Sequence, residues 1–93
     1  MIDPNDPLVR DAVFGQMVEN FLSSDVGAYL LEKSQNEIET GRTELCRVDP
    51  TDSARIREMQ NMVWRAESVR EWLAEAVLKG QAAKESLEET DGR

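Results

Sequence analysis

The chain has no histidine and a single cysteine, Cys46. The first absence removes the side chain most often used as a general base or metal ligand, and the second excludes an internal disulfide framework. Aromatic residues are 5% of the total and β-branched residues are few, which argues against a sandwich or barrel. No apolar run approaches the roughly 20 residues of a membrane span, and no basic-then-apolar leader opens the sequence. There is no glycine-rich phosphate loop and no metal-ligand spacing. Nor is any segment basic: residues 50–79 balance five acids with five bases, the stretches on either side are acidic, and the net charge is −8. Unaided binding to a phosphate backbone is therefore disfavoured. The expectation is a cytosolic chain or one that is part of an assembly made there. No catalytic residue, cofactor, metal, membrane contact or direct nucleic-acid contact is expected.

Helical periodicity is what remains. Between Val26 and Val48 two columns repeat every seven residues, Leu31, Ile38, Leu45 and Gly27, Ser34, Gly41. Together they form the seam that one helix shows to a long partner helix. Before it, Asp6-Pro7 is a helix start, with an aspartate able to cap and proline where its missing N–H costs nothing. A first helix over about 7–22 is apolar around most of its circumference, through Leu8, Val9, Ala12, Val13, Phe14, Met17, Val18, Phe21 and Leu22. Gly15 within it permits a close approach or is a tolerated weak spot. Ser23-Ser24-Asp25 breaks the pattern and caps a second helix, expected over 24–48. A rival reading ends that helix at Thr40, with Gly41 as a left-handed cap and a short strand from Thr43 to Val48.

Val48 to Asp52 reads as a turn, and a third helix follows over 53–79 with the stripe Ile56, Met59, Met62, Val63, Ala66, Val69, Leu73, Ala76, Val77. Beyond Gly80 the sequence is polar, and residues 80–93 are expected to form a frayed or disordered tail behind a single domain of residues 1–79. The expected fold is all-α, a three-helix arrangement in which a long antiparallel hairpin carries a short N-terminal helix. Closing the hairpin about its short turn pairs Val48 with Ile56, Leu45 with Met59, Gly41 with Met62 and Val63, and Ile38 with Ala66. Further along it pairs Ser34 with Val69 and Arg70, Leu31 with Leu73, and Gly27 with Ala76 and Val77. The seam residues are thus Gly27, Leu31, Ser34, Ile38, Gly41, Leu45, Met59, Ala66 and Leu73.

Trp72, on the edge of the stripe, is expected to fill the corner where helix one crosses with Met17 or Phe21. Trp64 projects away from the stripe, amid Arg57, Asn61, Ser68 and Glu75. Either Leu8 or Val9 folds over it or it stands open as a binding anchor. Arg70 is read as a polar contact between helices. Cys46 lies near Arg42 and Arg47 with no histidine to activate it. The pairs Glu37/Glu39, Glu71/Glu75 and Glu88/Glu89 are read as solvated faces. The candidate partner surface is Trp64, Phe14, Val18 and Phe21.

Phe21-Leu22, Ser24-Asp25-Val26-Gly27, Tyr29-Leu30, Val48-Asp49-Pro50 with Asp52, Ile56-Arg57, Gln60-Asn61, Trp64 to Ser68 and Trp72-Leu73 form a set of stretches. In these the chain resembles a group of small proteins encoded by tailed bacteriophages and prophages. Gly41 departs from the pattern, interrupting a stretch that is rich in alanine and glutamate in that group. The resemblance implies a phage origin and a place in particle assembly or host interaction, and it brings no defined activity. The expected function is that of a non-enzymatic, phage-encoded interaction protein, virion-associated or an assembly component. Its partner would be a protein, either a second copy in a homo-oligomer or a phage structural protein. The alternative is a small acidic inhibitor of a host nuclease, polymerase or defence factor.

Overall fold

The computed structural model describes residues 3–91. It is all-helical, with α1 (Pro7–Leu22), α2 (Asp25–Arg47) and α3 (Ser53–Asp91), and no strand among the described residues. Each helix start has a local chemical cause. The Asp6 carboxylate accepts a 2.9 Å hydrogen bond from the Leu8 N–H, and Pro7 follows in the first turn. The Ser24 hydroxyl accepts from the Gly27 N–H at 3.1 Å, and Asp25 sits at the positive end of α2. Asp52 accepts from the Arg55 N–H at 3.0 Å and caps α3. Between α2 and α3, Asp49 closes the turn by accepting from both the N–H and the hydroxyl of Thr51, at 2.9 and 2.7 Å.

The rival strand at 43–48 does not form. Gly41 has no positive φ, and the helical ladder runs on to a 2.9 Å bond from the Val48 N–H to the Glu44 carbonyl. A second difference lies at the other end. The helix expected to stop at residue 79 continues through Gly80 to Asp91, so that boundary falls inside α3. Gly80 and Ala83 are buried and Leu87 is half-buried, which is enough packing to hold this polar stretch helical. Met1 and Ile2, and Gly92 and Arg93 of the expected tail, lie outside the described residues.

The outline follows α3. At about 1.5 Å per residue its 39 residues span about 58 Å, and the molecule measures 63 × 25 × 19 Å. Its radius of gyration of 18.8 Å compares with about 12 Å for a compact domain of this length. Both shorter helices pack on α3, and they meet each other at their shared corner. On α3 the column Met59, Ala66, Leu73, Gly80, Leu87 repeats every seven residues and serves both partners, α2 first and α1 after it. The core is correspondingly thin: among the described residues Val18, Ile38, Met59, Ala66 and Ala83 are the buried apolar ones, and no large side chain is fully enclosed.

Candidate interaction surface

The contacts between α2 and α3 step in opposite directions along the two helices. Glu44 meets Arg55 at 3.6 Å, Glu37 meets Arg65 at 3.8 Å, Arg42 pairs with Glu67, and Arg70 donates to the Leu31 carbonyl at 3.3 Å. The buried Ser34 hydroxyl donates to the Ala66 carbonyl at 3.1 Å, and the space beside Gly41 is taken by Val63, Met62 and Met59. Ser34 thus sits against Ala66, and it lines one shallow depression with Ala66 and Val69. Of the expected seam residues, Ser34, Ile38, Gly41, Met59 and Ala66 are buried, and Leu31, Leu45 and Leu73 are half-buried.

Gly27 is a correction. It does not face Ala76 and Val77: a Cβ there would overlap the Phe21 carbonyl and lie 2.7 Å from the Leu22 Cα. Its missing side chain makes room for the end of α1 at the α1–α2 corner. The crossing of α1 on α3 rests instead on Gly15 and Gly80. A Cβ on Gly15 would lie 2.7 Å from the Gly80 Cα, and one on Gly80 would lie 2.9 Å from the Asp11 carbonyl oxygen. Backbone meets backbone here, so no side-chain adjustment could admit a methyl group. Two exposed polar contacts flank the crossing, Gln81 to Glu19 at 2.9 Å and Lys79 to Asp11 at 4.0 Å.

With α1 anchored on its glycine side, its next face is left in solvent. Phe14, Met17 and Phe21 follow at helical spacing and are 57%, 60% and 39% exposed. Trp72 shares a surface depression with Phe14 and is 64% exposed, so it is not the core residue expected at this corner. Trp64 is 68% exposed and α1 does not cover it, because α1 crosses α3 at Gly80, about 24 Å further along that helix. Val18, proposed alongside these residues, is buried at 7% and belongs to the core. Ser68, expected beside Trp64 on the open face, is buried as well.

The chain matches no family model, no curated protein and no solved structure. Its own geometry has to carry the functional reading. A depression of about 390 Å³ is an open trough beside Tyr29, Lys33 and Thr40 on α2. Among the described residues no group of three or more His, Cys, Asp or Glu side chains is placed to hold a metal ion, and Cys46 is exposed. Among the described residues no helix is long and apolar enough to cross a membrane. The resolved charge perturbations are structural. Thr51 donors hold Asp49 below the ordinary carboxylate value, and Glu58, with Glu44, raises Arg55. Phe14, Phe21 and Trp64 were read from the sequence as surface candidates; the exposure of Met17 and Trp72 was not legible, because it depends on where α1 lands.

Proposed function

We propose that this is a non-enzymatic, phage-encoded interaction protein, a virion-associated or assembly component that acts through protein–protein contact. One observation carries the reading: Phe14, Met17, Phe21 and Trp72 are held in solvent on adjoining helices of a slender molecule. Bulky apolar side chains grouped in this way mark contact surfaces, whereas scattered ones need no explanation. Trp64 adds a second anchor on the same rod, nearer the α2–α3 turn. A long antiparallel hairpin of α2 and α3 serves as a stiff support, and α1 presents the apolar face. The phage origin comes from the sequence resemblance.

Mass spectrometry of purified particles of the encoding phage tests this. The chain is expected at a fixed ratio to the capsid or tail proteins, and Phe14→Ser together with Trp72→Ser is expected to lower its incorporation. Absence from particles and from all assembly intermediates overturns the reading. Recovery with a host nuclease or polymerase, in a complex that salt dissolves, transfers it to the acidic inhibitor.

A further inference from the structure

We infer that the α1 face is occupied by a second copy of this chain, with the two α1 helices antiparallel and centred on Met17. The inference rests on the protein-contact reading above and names the partner.

Charge placement favours a second copy. Arg10 continues the stripe of Phe14, Met17 and Phe21 at its N-terminal end and lies beside Phe14. Asp25 stands at the other end, in the first turn of α2 just after the α1–α2 corner. Both are exposed, and neither enters an ion pair with another described residue. In an antiparallel pair about a two-fold axis, Phe14 of each copy meets Phe21 of the other, and Arg10 of each copy lies opposite Asp25 of the other. A parallel pair would set Arg10 against Arg10 and Asp25 against Asp25. The stripe is therefore complementary to itself in one direction only.

The area agrees. From the exposed fractions of Phe14, Met17, Phe21 and Trp72, each copy offers about 400 Å² of apolar surface. Two copies bury about 800 Å² of it, and the polar rim that includes Arg10 and Asp25 brings the total to about the 1,000 Å² expected of a small specific interface.

Sedimentation equilibrium of the purified full chain tests the pairing. The wild type is expected to dimerise. Arg10→Glu and Asp25→Lys are each expected to raise the dissociation constant about tenfold, since each turns two attractions into two repulsions. An equimolar mixture of the two variants is expected to regain wild-type affinity as a heterodimer, because both cross-pairs are then attractive. Far-UV circular dichroism of each variant should match the wild type. A second measurement does not depend on charge: in a Cys46→Ser background, Met17→Cys should oxidise to a covalent dimer, and Gln16→Cys, off the stripe, should not. The inference is overturned if the wild type stays monomeric up to about 1 mM. It is also overturned if either charge variant dimerises as the wild type does, or if mixing restores nothing. A monomeric chain that is still found in particles would sink the self-pairing and leave the protein-contact reading standing.

Discussion

Along residues 53–73, α3 is held to α2 by side chains that reach across; near Gly80 it is held to α1 by two backbones brought together. The first region carries Arg42–Glu67, Arg55–Glu44 and Arg65–Glu37, with Ser34 and Arg70 bonded to carbonyls of the facing helix. The second has the Gly15–Gly80 contact and two exposed polar pairs. Exposed ion pairs contribute little individually, so the first region gains alignment from them more than stability. Close backbone approach contributes dispersion over a small area and leaves no room for error. The contrast teaches why the exposed aromatic face sits on α1: its glycine side is consumed by α3, and its aromatic side is left in solvent.

The largest expected effect comes from breaking the glycine crossing. Gly15→Leu should destabilise the chain by about 3 kcal/mol, because only backbone lies opposite and the helix must move away. Hydrogen exchange should then show protection lost over α1 and residues 76–91 while α2 keeps its own. Equal loss in α2 would erase the difference between the two regions. Next is Gly41→Leu, expected to cost about 2 kcal/mol by thermal melt, since Val63 and Met62 are side chains that can partly give way. A neutral result would place the α2–α3 contact elsewhere.

Smaller effects sharpen the polar side of the comparison. Ser34→Ala removes the one buried hydroxyl bond between α2 and α3 and should cost about 1 kcal/mol. A denaturant melt with an unchanged midpoint would show the bond to be incidental. Smallest is the turn. Asp49 has its folded pKa lowered from 3.8 by its bonds from Thr51. Its contribution is thus fully present above the ordinary carboxylate value and is lost as pH falls below it, through the lowered folded value. An NMR titration of the Asp49 carboxyl in the folded chain should give a midpoint below 3.8, and a midpoint at or above that value would contradict the turn geometry.

Much of the local structure was legible. Asp6-Pro7 and Ser24-Asp25 announce helix starts because capping chemistry is local, and the seven-residue columns in α2 announce a seam. Gly80 misled for a physical reason: in sequence a glycine before a polar stretch looks like a stop, and only a facing glycine on α1 makes it a contact. A signal did exist, since Gly80 and Leu87 continue the column Met59, Ala66, Leu73. Small residues in a column carry little hydrophobic weight, which is why Gly80 and Ala83 passed for tail. Trp72 and Val18 exchanged places with expectation because the rotation of α1 about its axis is set by Gly15, one residue among many apolar candidates.

The sequence by itself determined three helices, where the first two begin, the turn at Asp49 and the small-residue column of α2, because capping, periodicity and turn chemistry act within a few residues. Only the tertiary structure decided how far α3 runs, which glycines touch and which aromatic residues stay wet. Those outcomes depend on where two backbones meet, and residues as far apart as Gly15 and Gly80 settle that only once both helices exist.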